Sequence, residues 1–237
     1  MAFPRRADQP GKGSRRERFP FFLVWPNGAM MPRVEFFSQF GIYYERHFLD
    51  TTLLEAISKE VHTARILVKG QVIGKQGENI DHEEWRRVRT VRLSSSLQSQ
   101  VNSRLALLRP NLAEHFSCVL HGQEPFQCLL YRSGDYYKYH QDVLNKETID
   151  HSARARRVSL VLFVNGEGED PELSYQGGAL TLYGLIQKKS NKNFGLPVQP
   201  EPGLMVAFPS TMFHEVAPVS QGCRVTIVSF FYNSCQI

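Results

Sequence analysis

Hydrophobic positions along the chain fall into two regimes. In the first half they recur at helical spacing. Leu97, Val101, Leu105 and Leu108 step by three or four residues, which predicts an amphipathic helix over Ser96 to Leu108 that Pro110 stops. Asp50 reads as the N-cap of an earlier helix over Leu53 to Thr63, preceded by a short strand within Ile42 to Leu49. Residues 69–92 are polar and charged, with Gly70, Gly74 and Gly77, and read as a long loop or ragged hairpin. From Phe126 onward the pattern changes to short β-rich runs: Phe126–Tyr131, Arg157–Asn165, Ala179–Tyr183, Leu204–Phe208, Phe213–Val219 and Cys223–Tyr232. Turn residues separate them. Helices first and short strands afterwards predict a mainly β protein, an antiparallel sandwich or barrel with helices on its outer face. The connections are the acidic Glu167–Gln176, the polar Leu144–Arg156 and the Lys/Asn/Pro-rich Gly184–Gly203. The last two are expected to form a mobile rim that closes over a substrate.

Composition narrows the class. A chain of 237 residues with 42% hydrophobic and 22% charged residues fits one soluble globular unit and excludes global disorder. The apolar runs, such as Val158 to Val164 with Ser159 within it, are only strand-length, so no transmembrane helix is expected. The four cysteines, Cys118, Cys128, Cys223 and Cys235, have no CxxC spacing. Disulfide scaffolds and zinc modules are excluded as organising principles, and a reducing, cytoplasmic setting is the expectation. The net charge of +5 is concentrated at the start, where residues 1–18 hold six basic and two acidic side chains. The other 219 residues carry 22 basic and 21 acidic groups. A balanced body with a basic arm argues against a dedicated nucleic-acid partner. Residues 1–30 therefore read as a disordered basic tail or a non-native start, ahead of a single domain over 31–237 with its β core at about 126–232. Ser14-Arg15-Arg16 before the apolar run Phe19–Trp25 is too short, and too interrupted by Pro20, to act as an export signal.

The candidate chemistry lies in the β-rich half. His140 and Asp142 are two residues apart in an extended segment, so they project to the same face. His214 opens a later strand. Two neutral imidazoles and one carboxylate can occupy one face of an octahedral iron and leave three positions for substrate-derived ligands and O2. A second match to the spacing, His82-Glu83-Glu84, sits in the charged run ending at Arg87 and reads as solvated surface. Arg224 stands in a strand apolar on both faces. A buried Arg needs an anion, and its fork fits a carboxylate. Thr226, two residues on, adds a hydroxyl beside it.

These residues resemble the Fe(II)- and 2-oxoglutarate-dependent dioxygenase superfamily, and within it the prolyl 4-hydroxylase-like branch. Tyr131 to Asp142 is similar to that branch's Y-x-x-G-x-x-Y-x-x-H-x-D. Arg157 to Asn165, Gly177-Gly178-Ala179-Leu180, Phe208-Pro209, His214 and Arg224 follow in the branch's order. The resemblance implies a double-stranded β-helix of the jelly-roll or cupin-like kind with N-terminal helices packed on it. It implies His140, Asp142 and His214 as iron ligands, with His140, Asp142, His214 and Arg224 as the catalytic set. It also implies Arg224, Thr226 and Tyr131 at 2-oxoglutarate. The co-substrates would be 2-oxoglutarate and O2, with ascorbate as an accessory reductant. The reaction would be oxidative decarboxylation coupled to hydroxylation of an unactivated C–H bond, in a peptidyl proline, another amino acid or a small metabolite. The branch often carries a tyrosine two residues before the strand-ending Asn; here Phe163 stands there, so the clamp lacks that hydroxyl. Asp142 argues against a halogenase, whose carboxylate is replaced. Phe230 stands where AlkB-type dealkylases usually carry a further Arg. A non-catalytic cupin-like sensor would have lost a ligand or the clamp, and neither is lost here. No motif names the substrate, and none indicates an oligomeric state or a membrane partner.

Overall fold

The computed structural model describes residues 22–24, 30–64, 67–70, 72–73, 79–80, 82–143, 152–186 and 194–233. Three helices lie in the first half: α1 (Val34–Ser38), α2 (Thr51–Thr63) and α3 (Ser95–His115). Asp50 caps α2 as expected, its Oδ1 accepting from the Leu53 amide at 2.9 Å. The strands that build the site are, in chain order, β1 (Tyr43–Glu45), β2 (Leu67–Lys69), β3 (Arg86–Arg87), β4 (Arg89–Val91), β5 (Gln127–Arg132), β6 (Tyr136–His140) and β7 (Arg156–Phe163). They continue with β8 (Tyr175–Gly177), β9 (Leu180–Ile186), β10 (Phe194–Val198), β11 (Met205–Pro209), β12 (His214–Val216) and β13 (Val219–Tyr232).

The strands form two antiparallel layers. The larger sheet runs β1-β11-β7-β13-β5-β4-β2, with β8 attached to β13. The smaller runs β10-β9-β12-β6-β3. Side-chain alternation then divides the core. On β5, Cys128 and Leu130 face α2 and α3 with Leu160, Leu162, Val225 and Ile227. Leu129 and Tyr131 face the other sheet with Val161, Phe163, Leu182 and Phe208. The larger sheet is thus buried on both faces, which is why β7 and β13 read as continuous apolar runs rather than alternating ones. The smaller sheet closes the interior from the other side. This is the double-stranded β-helix arrangement, with the helices on the outer face of its larger sheet.

Two expectations need correction. Pro110 does not end its helix: α3 continues to His115. The buried stripe Leu97, Val101, Leu105, Leu108 extends to Leu112, which is fully buried. Packing of that last turn outweighs one lost backbone hydrogen bond, whose carbonyl partner, on Ala106, belongs to an exposed residue. The segment Gly184–Gly203 is not one long loop either. Its ends belong to the β9–β10 hairpin, with Leu180 opposite Val198 and Leu182 opposite Leu196. Residues 187–193 lie outside the described residues, as do 144–151 of the other expected rim segment and nearly all of the expected N-terminal tail. Residues 67–91 do form a hairpin, β2 pairing with β4. His82, Glu83 and Glu84 are exposed in a turn, with Glu83 paired to Lys69. No helix among the described residues is long and apolar enough to cross a membrane.

Candidate active site

The site lies between the sheets, where β6 and β12 run side by side. His140 ends β6 and His214 opens β12, and the two are directly opposed in the ladder. Asp142 sits two residues beyond the strand end, held by a backbone hydrogen bond from its amide to the Ser210 carbonyl at 3.0 Å. The three ligand atoms lie within 4.8 Å of one another. Nε2 of His140 is 3.5 Å from Asp142 Oδ1, and Nε2 of His214 is 3.3 Å from Oδ2. All three side chains are at most 10% exposed.

The backbone sets which ring nitrogen faces inward. Nδ1 of His140 donates to the Lys138 carbonyl at 2.7 Å, and Nδ1 of His214 donates to the Met212 carbonyl at 3.0 Å. A carbonyl only accepts, so each Nδ1 carries a proton, and in the neutral ring the Nε2 lone pair is the one that faces Asp142. Burial, reinforced by His140, lowers the His214 pKa to about 4. Its ring is therefore neutral at physiological pH. Burial pushes the Asp142 carboxyl up, but His214 and His140, in the states where they carry a proton toward it, outweigh burial and hold the group well below the usual carboxylate range. Around the triad, the Tyr137 ring stacks on His140 at 3.5 Å between centroids. Arg156 donates from Nη1 to the Asp142 carbonyl at 3.1 Å, grips Glu124 at 2.7 and 2.6 Å, and lies 3.7 Å over the Phe230 ring.

Arg224 enters from β13 on the facing sheet and is 1% exposed. Its Nη1 donates to the Thr226 hydroxyl at 3.3 Å, while Nε and Nη2 have no hydrogen-bond partner among the described residues. The guanidinium lies 5.1 Å from the centre of the Tyr131 ring and 5.4 Å from that of Phe163. The Gly177-Gly178 turn closes over it. Gly178 has φ +62°, and a Cβ there would lie 3.0 Å from Arg224 Cδ and 2.8 Å from Val219 Cγ2. Only glycine fits.

Residues 126–232 match the family profile of the 2OG-Fe(II) oxygenase superfamily. This segment is a 2OG-Fe(II) oxygenase domain. No curated protein matches the chain by sequence. Among solved structures, the chain is similar to a prolyl 4-hydroxylase of Pseudomonas putida at 23% identity and TM-score 0.59, covering 85% of this chain and 97% of that one. It is similar at 16% identity and TM-score 0.59 to a Trichoplax adhaerens prolyl hydroxylase in complex with a hypoxia inducible factor oxygen degradation domain peptide (84% and 86% covered). A third is the viral collagen prolyl hydroxylase of Paramecium Bursaria Chlorella virus-1 in complex with 2OG, at 15% identity and TM-score 0.54 (81% and 96% covered). At these identities the likeness is one of fold.

The family is one of Fe(II)- and 2-oxoglutarate-dependent oxidoreductases. The residues present fit both groups. Two imidazoles and a carboxylate suit Fe(II), and a buried guanidinium with two unpaired donors suits a carboxylate. Every site residue expected from the sequence lies in this one region: His140, Asp142 and His214 together, and Arg224, Thr226 and Tyr131 together. The sequence reading assigned no part to Arg156 or Tyr137. Tyr137 stood inside the quoted motif. Arg156 begins an apolar strand, a signal that could have singled it out.

Proposed function

We propose that this protein is an Fe(II)- and 2-oxoglutarate-dependent hydroxylase of the prolyl 4-hydroxylase type, acting on proline or another amino-acid residue in a peptide. The observation that carries the reading is the joint burial of the His140–Asp142–His214 triad and an unpaired Arg224 in one interior. His140, Asp142 and His214 hold the iron, and Arg224 with Thr226 binds the distal carboxylate of 2-oxoglutarate. Fe(II), when bound, supplies O2 activation coupled to oxidative decarboxylation of the co-substrate. The chain's own groups prepare that chemistry. The Lys138 and Met212 carbonyls lock the histidine tautomers, and Arg156 steadies the backbone at Asp142. Ser159, bonded to Ser210 at 3.0 Å, backs the site from β7. The apolar side chains between the sheets exclude water from it.

A peptide substrate is supported by the fold shared with a hydroxylase in complex with a peptide. The test is succinate release from 2-oxoglutarate, with a library of proline-containing peptides set against free amino acids and small metabolites. Hydroxylation of a peptide, located by mass spectrometry, supports the proposal. Turnover coupled only to a free metabolite makes the protein a small-molecule hydroxylase.

A further inference from the structure

Phe163 leaves the Arg224 clamp without a hydroxyl from β7, and the fold brings one from elsewhere. Tyr175 lies on β8, directly opposite Gly222 of β13, two residues before Arg224. Tyr175 belongs to the same buried cluster as Tyr131 and Phe163, the two rings beside the Arg224 guanidinium. Tyr175 and Arg224 therefore share one interior. Tyr175 is 1% exposed, and its hydroxyl is buried with no hydrogen-bond partner among the described residues. Arg224 Nε and Nη2 are in the same condition.

Three buried, unsatisfied polar atoms in one place are costly, because each loses its water without a replacement. Burial raises the phenol pKa to about 12, against the opposing pull of Arg224. The hydroxyl therefore remains protonated and can donate. Glu167 is the acidic neighbour that could have satisfied Arg224. Its backbone forms a bridge with Tyr175 and its charge is felt by Arg224, but it leaves Nε and Nη2 of the guanidinium without a hydrogen bond. Gly178 packs against both side chains, its Cβ position lying 3.6 Å from Tyr175 Cε2 and 3.0 Å from Arg224 Cδ. The result is a buried cluster whose unpaired groups can all donate and whose complement is an acceptor-only anion.

We propose that Tyr175 donates a hydrogen bond to the distal carboxylate of 2-oxoglutarate alongside Arg224, supplying from β8 the hydroxyl that Phe163 lacks on β7. The assignment rests on the function proposed above. It makes Tyr175 a co-substrate-binding residue, and it makes the Gly177-Gly178 turn the element that lets phenol and guanidinium meet.

The experiment is calorimetric titration of 2-oxoglutarate into the full-length protein loaded with Fe(II) under argon, so that no turnover occurs. Tyr175→Phe removes one hydroxyl and no packing volume. Its dissociation constant should rise about tenfold or more, the weight of a hydrogen bond to a charged group. The melting temperature of the ligand-free variant should stay the same or rise, because the lost hydroxyl has no protein partner. Adding Phe163→Tyr to Tyr175→Phe should recover most of the affinity by restoring a hydroxyl to the pocket from the other strand. With a peptide substrate, the variant should show a raised KM for 2-oxoglutarate and an unchanged kcat at saturation. Normal binding to the parent with a Tyr175→Phe constant within twofold of it overturns the assignment and leaves the proposed function standing. No binding to the parent overturns both.

Discussion

At the scale of single residues, the site is governed by who can satisfy whom. Arg224 is the largest fully buried side chain, and two of its donors are unpaired. Arg224→Ala should cost on the order of 2–5 kcal/mol of co-substrate binding, because it leaves a carboxylate buried without its partner. The KM for 2-oxoglutarate should rise by orders of magnitude; a change below about threefold would mean that Arg224 serves structure instead. His214→Ala should abolish metal binding and turnover while circular dichroism shows the fold retained. His214 also gives the metal-free protein a pH dependence. Its folded pKa is about 4 against an ordinary value of 6.5. Between those values the unfolded chain takes up a proton that the folded chain refuses, so stability should fall as pH drops from about 6.5 to about 4. Urea titrations of the metal-free protein across that range check it, and the His214→Ala variant should show a shallower slope. The triad and Arg224 were legible in the sequence because each announces itself locally, the ligand pair by an i, i+2 spacing and the arginine by its apolar strand. Tyr175 was not, because its role depends on facing a residue 49 positions away, through a pairing that no local pattern states.

At the scale of elements, periodicity located what packs and mislocated where it stops. β7 and β13 were legible as buried strands because both faces are apolar, and the N-cap of α2 because Asp50 stands just before the first turn. The end of α3 was misplaced because proline is a strong breaker only where nothing beyond it is buried. Leu112 lies beyond Pro110 and is fully buried, so the helix runs on. Pro110 remains a defect in an otherwise regular helix. It donates no hydrogen bond to the carbonyl four residues back, and its ring crowds that turn. Pro110→Ala should stabilise the protein by roughly 1–3 kcal/mol, the helix-interior penalty less the unfolded-state entropy that proline had removed. The denaturation midpoint in urea should rise accordingly, with 2-oxoglutarate binding unchanged because α3 packs on the outer face of the larger sheet. A midpoint that falls would show that the proline ring contributes packing. The β9–β10 hairpin escaped the sequence reading for the opposite reason. Its second strand, Phe194–Val198, contains Gly195 and Pro197, and both are rare inside strands. It holds its place as the edge of the smaller sheet, where Pro197 withholds only one donor from the ladder.

At the scale of the whole molecule, the two layers of core do different work. Helices on the outer face of the larger sheet bury Leu160, Leu162, Val225 and Ile227 and fix that sheet as a rigid wall. The interior between the sheets is where apolar packing gives way to polar side chains: His140, Asp142 and His214 on the smaller sheet's side, Arg224 and Thr226 on the larger's. Opposite charges thus sit on opposite walls of one interior. A ligand that pairs with both walls couples the sheets to each other. Fe(II) and 2-oxoglutarate together should therefore raise the melting temperature more than either alone, since the metal engages one sheet and the distal carboxylate the other. Binding only to the folded chain stabilises it by about 2.7 kcal/mol at a hundred times the dissociation constant. For a domain of this size that is a shift of roughly 5–10 °C. Scanning calorimetry under argon, with Fe(II), 2-oxoglutarate or both, measures it. His214→Ala should lose the metal-dependent part of the shift, and Arg224→Ala most of the part that depends on 2-oxoglutarate. If the combined shift is no larger than that of Fe(II) alone, the co-substrate does not bridge the two sheets, and Arg224 does not face the same chemistry as the triad.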